Sequence, residues 1–240
     1  MSSKICYSDS HRIEWVMDNF VDGSNHFGLL AGDSRLWGMD RYTWDNLLLS
    51  QLYAIAYRGA TIERLRTHIM RALVGFEDKY VTIKLCMGLN NILAGDSPGT
   101  VMSQLVDIKE SILRRHRFAM VSFGDIAHVN FEKSSRTQHF STRQANNRID
   151  TVNNLIHIEN GINHHSIFVR APAAPFLASA VTRVVRRCDK VRDRRYNVLH
   201  RNDALLSDGI HVSPGCKRTW LKTFVKAFNK DHSTFAHINN

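Results

Sequence analysis

The chain has 240 residues, of which 43% are hydrophobic, enough for a buried core and against a disordered segment. Its formal net charge of +10 favours an anionic partner such as nucleic acid, an acidic lipid or an acidic polymer. No apolar run reaches the length of a membrane span. The first residues are charged where a secretory signal needs an apolar segment, so we expect an intracellular protein.

Residues 1–25 are predicted to form a helical extension that precedes a single domain over residues 26–240. Apolar side chains recur at helical spacing in this extension. They are Ile13, Val16, Met17 and Phe20. No repeat, low-complexity segment or linker divides the rest of the chain, which is why we expect one domain there.

Five short apolar runs alternate with helical patterns along the domain. The predicted strands are Phe27–Ala31, Leu52–Tyr57, Tyr80–Met87, Phe118–Phe123 and Ser166–Val169. The predicted helices are Arg35–Ser50, a helix after the N-cap Thr61, one from Ser97-Pro98, Ser141–Asn160, one from Leu177 into an arginine-dense stretch, and a last one from Ser213-Pro214. Alternation of this kind predicts a parallel sheet with helices on both faces. The loop Gly124–His139 is long and polar, as in loops that are mobile or cover a site.

The turns after the predicted strands carry the parts of an acyl-transfer site. Ser34 follows the first strand, Gly59 the second and Asn90 the third. A glycine lets a backbone N–H point into a site, and an asparagine amide can donate to an oxyanion. Asp208 and His211 stand three residues apart before the last helix, a spacing that lets a carboxylate orient an imidazole toward a serine.

With these residues in order, the sequence resembles the SGNH (GDSL-type) serine hydrolase superfamily. Four blocks carry the resemblance: Gly32-Asp33-Ser34, the glycine of Arg58-Gly59-Ala60-Thr61, Gly88-Leu89-Asn90 and Asp208-Gly209-Ile210-His211. The resemblance covers roughly Phe27–Phe228. More distantly, the chain is similar to retrotransposon esterase domains and to the SGNH-like domain of Oskar.

The resemblance implies a flavodoxin-like three-layer α/β/α sandwich with a five-stranded parallel sheet. It also implies Ser34 as nucleophile, His211 as general base and Asp208 as the partner that orients the base. The oxyanion hole would consist of the Ser34 and Gly59 N–H groups and the Asn90 side chain. One departure is visible, since the family commonly has Asp where this chain has Asn91. That position usually supports the loop.

Each candidate residue also has a purely structural interpretation. Ser34 can be a helix cap, as we expect for Ser97 in the second Gly-Asp-Ser triplet, where Pro98 follows directly. Gly59 can be a turn glycine, and Asn90 can close an Asx turn. Asp208 can serve the start of the last helix, and His211 can be a packed loop histidine.

Metal ligation is not indicated by the cysteines or the histidines. Cys6, Cys86, Cys188 and Cys216 are scattered and form no CxxC pair, which argues against a zinc knuckle and a disulfide scaffold. The adjacent pair His164–His165 lacks a Cys or acidic partner at ligand spacing. We therefore expect neither a metal nor a cofactor.

A basic run in the last third of the chain is a second candidate site. Its members are Arg183, Arg186, Arg187, Lys190, Arg192, Arg194 and Arg195. A charge run is usually a solvated helix face, but arginine also suits phosphate recognition. Two functions follow: a serine esterase for small acyl esters such as acetyl esters, and, as the alternative, an RNA- or polyanion-binding module on the same scaffold.

Overall fold

A six-stranded sheet forms the centre of the fold in a computed structural model that describes residues 4–18, 26–131, 140–162, 179–185, 194–200, 206, 208 and 210–238. The strands are β1 (Lys4–Ser8), β2 (Arg12–Asp18), β3 (His26–Asp33), β4 (Gln51–Tyr57), β5 (Tyr80–Cys86) and β6 (Ala119–Phe123). Their order across the sheet is β1-β2-β4-β3-β5-β6. The last four strands in this order are parallel, whereas β2 is antiparallel to β4 and β1 to β2.

Four of the five predicted strands are thus confirmed, in a sheet of mixed rather than purely parallel direction. The predicted fifth strand, Ser166–Val169, lies outside the described residues. The two antiparallel strands at the β1 edge come from the amino-terminal segment, for which a helix was expected.

Helices cover both faces of the sheet. They are α1 (Ile62–Ala72), α2 (Leu89–Ala94), α3 (Pro98–Leu113), α4 (Thr142–Ile162) and α5 (Pro214–Ile238). Alternate residues of β3 belong to different cores: Leu29 packs with α1 to α4, and Leu30 packs with α5. This alternation, set by the two-residue period of a strand, produces the three-layer α/β/α arrangement. No helix in the described part of the chain has both the length and the apolar character needed to span a bilayer.

The helical prediction for residues 1–25 is wrong for their described part. Ile13, Trp15 and Met17 are buried against the α5 side of the sheet, and this is a period of two rather than of a helix. The helical prediction combined Ile13 and Met17 with Val16, and this spacing resembles one face of a helix. Val16 is only half-buried, so it does not belong to the buried face. The division between residues 1–25 and 26–240 stays a prediction.

The segment after β3 is not the continuous helix expected over Arg35–Ser50. It contains two short 3-10 turns, Ser34–Leu36 and Met39–Arg41, followed by irregular chain. Its apolar side chains pack against α5 instead of forming a helical stripe, and Trp44 is fully buried there. Tertiary packing therefore decides the conformation of this segment.

The arginine-dense stretch was expected to be helical and is a hairpin where it is described. β7 (Ser179–Val185) pairs antiparallel with β8 (Arg194–His200). Valine is β-branched and favours strands, and β7 contains three valines. The helical prediction weighed the spacing of these residues above their propensity.

Candidate active site

Ser34 lies at the carboxyl end of β3, directly after a close contact between two strands. A Cβ on Gly32 would lie 2.4 Å from the carbonyl oxygen of Cys86, so only glycine fits there. Asp33, not Ser34, caps the following turn, because its carboxylate accepts the Arg35 N–H at 3.1 Å. The same carboxylate forms a buried ion pair with the Arg35 guanidinium at 2.8 Å. The Ser34 hydroxyl is left for another partner.

That partner is His211, which lies 177 positions further along the chain. His211 Nε2 is 2.9 Å from Ser34 Oγ. On the other side of the ring, Nδ1 is 2.6 Å from Asp208 Oδ2. The second Asp208 oxygen accepts the backbone N–H groups of His211 at 2.7 Å and of Ile210 at 3.0 Å. The carboxylate therefore fixes both the loop and the imidazole.

Asp208 is held in its ionised form by these contacts. Burial acts to raise the pKa of Asp208, but hydrogen bonds from the His211 backbone, the His211 ring and the Ile210 backbone outweigh it and lower the pKa to about 2. A carboxylate in this position stabilises positive charge on the imidazole.

Gly59 and Asn90 lie together on the opposite rim of the same cleft. Gly59 has a φ of 66°, which favours glycine over any residue with a side chain. The Asn90 amide donates to the Ala60 carbonyl at 2.8 Å, so the asparagine is fixed against the residue that follows Gly59. One of the two amide hydrogens is used in this bond, and the other can serve a ligand.

Asn91, which follows Asn90 and is buried, fixes this rim by hydrogen bonds and was not among the predicted site residues. Its buried side chain accepts the Ile62 N–H at 2.9 Å and donates to Asp96 and Gln104, each at 2.9 Å. Thr61 occupies the expected N-cap position of α1, but its hydroxyl makes no capping bond. The Asn91 side chain instead accepts a hydrogen bond from the first residue of α1. The motif Gly88-Leu89-Asn90 ends at the preceding residue and does not reveal this contact.

The cleft has a volume of about 800 Å³. Its lining includes Ser34, Gly59, Asn90 and His211 together with residues that sequence reasoning missed. The missed residues are Ser10, His11, Trp37, Arg58, Leu89, Leu93, Ile210, Val212, Pro214 and Lys217. Ser10 and His11 come from the β1–β2 turn. A helix was predicted over residues 1–25, and therefore no turn at this position. Arg58 stands in the second motif block, but only its neighbour Gly59 was predicted as a site residue, and Lys217 lies in none of the four blocks.

The predicted basic run lies only partly in the described chain. Arg183 is in β7, and Arg194 and Arg195 are in β8. Arg186, Arg187, Lys190 and Arg192 fall outside the described residues, as does the pair His164–His165. Across the residues that are described, no group of three His, Cys, Asp or Glu side chains is arranged to hold a metal ion. Polyanion binding by this run stays a prediction.

Comparison with known proteins identifies the fold through structure and not through sequence. No protein-family model and no curated protein sequence matches the chain. A member of the lipolytic G-D-S-L family from Veillonella parvula superposes with a TM-score of 0.59 at 16% identity, covering 85% of this chain and 98% of the other. A GDSL-like lipase from Bacteroides thetaiotaomicron gives a TM-score of 0.62 at 11% identity, over 85% and 88% of the two chains.

This chain has the SGNH hydrolase fold. The C-terminal domain of Drosophila Oskar also shares it, with a TM-score of 0.52 at 12% identity over 82% of this chain and 86% of that one. The carboxyl ends of parallel strands meet at one edge of the sheet, which explains why the blocks with Ser34, Gly59 and Asn90 converge. At these identities the likeness concerns the fold.

Proposed function

We propose that this SGNH-fold chain is a serine hydrolase that cleaves small acyl esters such as acetyl esters. The observation that supports the proposal is the continuous chain of contacts from Ser34 Oγ to His211 Nε2 and from His211 Nδ1 to Asp208, at 2.9 and 2.6 Å. Nucleophile, base and orienting carboxylate are recognised by this geometry and not by sequence position.

In the proposed first step, Ser34 Oγ attacks the ester carbonyl carbon while His211 Nε2 takes the hydroxyl proton. The Asp208 carboxylate accepts a hydrogen bond from His211 Nδ1–H and stabilises the imidazolium that forms. The tetrahedral intermediate then collapses, His211 protonates the alcohol oxygen, and the alcohol leaves. Ser34 remains acylated.

The negative oxygen of the intermediate would be bound by three N–H donors. These are the backbone N–H groups of Ser34 and Gly59 and the second amide hydrogen of Asn90. The left-handed backbone at Gly59 and the Asn90–Ala60 bond hold two of the three donors in place before substrate arrives. Preorganised donors of this kind typically contribute about 3–4 kcal/mol each to the stability of the transition state.

In the second half-reaction, a water molecule replaces the alcohol. His211 removes a proton from the water as it attacks the acyl carbon, and the collapse of the second intermediate returns that proton to Ser34 Oγ. The aliphatic side chains Leu89, Leu93, Ile210 and Val212 line the cleft and offer contact to a short acyl chain.

A fluorophosphonate probe tests the nucleophile without knowledge of the natural substrate. We expect the probe to label the wild-type chain and not Ser34→Ala. Ser97→Ala is a matched control, since Ser97 stands in the second Gly-Asp-Ser triplet and its hydroxyl caps α3 by accepting the Thr100 N–H at 3.1 Å. Ser97→Ala should keep full labelling despite a loss of about 1 kcal/mol of stability. Equal labelling of wild type and Ser34→Ala would refute the proposed mechanism.

Binding of a polyanion such as RNA is a second candidate function, and a basic groove favours it. The groove has a volume of about 820 Å³ and lies between α5 and the segment around Tyr42. Arg218, Lys222 and Lys226 line it on α5. With Lys230 they form the basic stripe, which we define as Arg218, Lys222, Lys226 and Lys230, four exposed cations at intervals of four residues. Arg41 adds a cation from the other wall, and Asp45 is an acidic residue in the lining.

Salt-dependent binding to a single-stranded RNA oligonucleotide tests this second function. We expect the affinity to fall steeply as salt rises, because phosphate contacts release counterions. Glutamine at Arg218, Lys222 and Lys226 should weaken binding and reduce the salt slope by about one for each lost phosphate contact. Variants of Arg186, Arg187, Arg194 and Arg195 test the predicted basic run in the same assay. Weak binding that neither variant set changes would refute the candidate function.

A further inference from the structure

The described side chains that line the cleft around Ser34 carry positive and no negative charge. Two basic side chains, Arg58 and Lys217, line it, and the described lining contains no Asp or Glu. The Asp208 carboxylate is engaged with the His211 ring at 2.6 Å. A neutral ester would gain little from such an arrangement, whereas an anion would be attracted to it.

Arg58 is held in place and still has free donors. Its backbone N–H donates to the His11 carbonyl at 2.6 Å, and its guanidinium stacks on the Trp37 ring at 3.9 Å. The guanidinium bond to the protein is a long contact of 3.5 Å with the Ser10 carbonyl. A guanidinium has five N–H donors, so most of them face solvent or a ligand. Arg58 lines the same cleft as Ser34, Gly59 and Asn90, which form the proposed oxyanion hole.

Lys217 contacts the same residue, Trp37, through the Trp37 backbone carbonyl. Its ammonium group donates to the Trp37 carbonyl at 2.5 Å. Burial, and after it the Arg41 charge, lowers the pKa of Lys217, while Asp40 acts in the opposite direction. Within the described residues, neither Lys217 nor Arg58 has a carboxylate at ion-pair distance. Trp37 therefore contacts two cations at the cleft, and no described carboxylate forms a direct ion pair with either of them.

The surroundings extend this positive field beyond the cleft. The basic stripe begins one residue after Lys217 and continues along α5. Like charges at a spacing of four residues destabilise a helix by a few tenths of a kcal/mol per pair. The stripe thus costs helix stability and gives the cleft a positive approach for a negatively charged substrate.

We infer that the ester substrate of this site is an anion, with a carboxylate or phosphate on its alcohol part that is bound by Arg58 and Lys217. The inference rests on the proposed esterase function. An acetyl group carries no ionisable group, so the negative charge of the substrate must lie on its alcohol part. A guanidinium can bind either oxyanion in a bidentate manner, and the partly buried ammonium adds a point charge.

Matched acetate esters test the inference. The anionic substrates are 4-acetoxybenzoate and 4-acetoxyphenyl phosphate, and the neutral reference is the methyl ester of 4-acetoxybenzoate. The measured quantity is the ratio of kcat/KM for each anionic ester to kcat/KM for the neutral ester. Comparing this ratio between variants cancels the different leaving-group reactivities. The carboxylate and phosphate arms show which oxyanion the site prefers.

Arg58→Gln should lower this selectivity ratio about tenfold or more, mainly through KM, because a charge-assisted hydrogen bond is lost. Lys217→Gln should lower it in the same direction. Arg58→Lys should retain part of it, since the positive charge stays while the fork of donors is lost. Arg115→Gln removes an exposed charge outside the cleft and should keep the wild-type ratio. High salt should reduce the ratio of the wild type.

The outcomes separate the inference from the proposed function. Wild-type turnover of the neutral ester with an unchanged ratio in Arg58→Gln and Lys217→Gln would overturn the inference and leave the esterase intact. Absence of fluorophosphonate labelling and of turnover of every ester would overturn both. A lowered ratio in folded cleft variants, shown by circular dichroism, together with an unchanged ratio in Arg115→Gln supports the inference.

Discussion

The amide oxygen of Asn91 accepts the N–H of Ile62 at 2.9 Å and so joins two turns at the rim of the candidate active site. One turn contains Asn90, and the other contains Gly59. The amide nitrogen of Asn91 is fixed in its turn by Asp96 and Gln104. An aspartate, common at this position in the proteins that the sequence resembles, could accept from Ile62 but could not donate to Asp96. Asn91 therefore suits the particular neighbours that this chain provides.

Asn91→Ala should weaken both stability and activity. It removes three hydrogen bonds and leaves the buried Ile62 N–H without its acceptor, for which we expect a loss of about 1–3 kcal/mol in the free energy of unfolding. It also removes the hydrogen bond that fixes the turn with Gly59, a proposed oxyanion donor. Because that donor acts in the transition state, kcat should fall more than KM rises. Urea unfolding and ester kinetics measure the two effects. Asn147→Ala, at an exposed asparagine of α4, is the control and should change stability by less than about 0.5 kcal/mol.

Asp208→Asn should inactivate the site while it keeps the fold. The amide oxygen of asparagine can still accept the His211 and Ile210 N–H groups, but the side chain no longer stabilises the imidazolium. We expect kcat to fall by about three orders of magnitude or more. Since the pKa of Asp208 is about 2, the carboxylate stays ionised throughout an activity profile measured above pH 4. The acid limb of kcat/KM in the wild type should therefore follow one protonation, and a slope of two would contradict this assignment.

Motif order on parallel strands allowed the site to be predicted from sequence. Ser34 was expected at the carboxyl end of a strand, and Asp208 and His211 were expected to face it because of their three-residue spacing and the family resemblance. The structure brings the three side chains into hydrogen-bond contact. The cap of α3 was predicted because Ser97 and Pro98 specify it locally. Such features depend on a few neighbouring residues, which is why a single sequence reveals them.

Features that depend on tertiary contacts were not predictable in this way. The helical spacing of Ile13 and Met17 also fits a strand, and only pairing of β2 with β4 decides between the two. Arg58 and Lys217 meet at Trp37 because β4 and α5 lie on the same rim. No local pattern encodes that meeting. The same is true of the Asn91 bond to Ile62, which spans 29 positions.

Lys84→Met should strongly destabilise the fold, because Lys84 forms a buried ion pair with Asp231. The two charged atoms are 2.5 Å apart, and the side chains are 1% and 0% exposed. Lys84 also donates to Ser122 at 3.0 Å. Removal of the lysine leaves a buried carboxylate without its ion-pair partner, for which we expect a loss of about 3–5 kcal/mol in urea unfolding.

The double variant Lys84→Met, Asp231→Leu provides the control for this ion pair. It removes both charges and fills the space with apolar atoms, so it should recover most of the lost stability. A double variant that is as unstable as the single one would show that packing around Lys84, rather than the loss of the ion pair, dominates the effect.

A last prediction concerns acid stability and the buried His26. Its ring contacts Thr82 at 2.7 Å and His232 at 3.0 Å. Burial, with smaller effects of His232 and Lys84, lowers the pKa of His26 from 6.5 to about 3. The folded state thus binds this proton less tightly than the unfolded state, so the contribution of His26 to stability is fully present above pH 6.5 and is lost as the pH falls toward 3.

Replacing His26 should make stability less dependent on pH in that range. In the wild type, His26 alone should lower the free energy of unfolding by about 1.4 kcal/mol for each pH unit between its two pKa values. His26→Gln should remove this slope, although it also costs stability at neutral pH because the contacts to Thr82 and His232 change. Urea unfolding at several pH values measures the slope. His11→Gln, at an exposed histidine, is the control, and a wild-type slope in His26→Gln would assign the acid sensitivity to other groups.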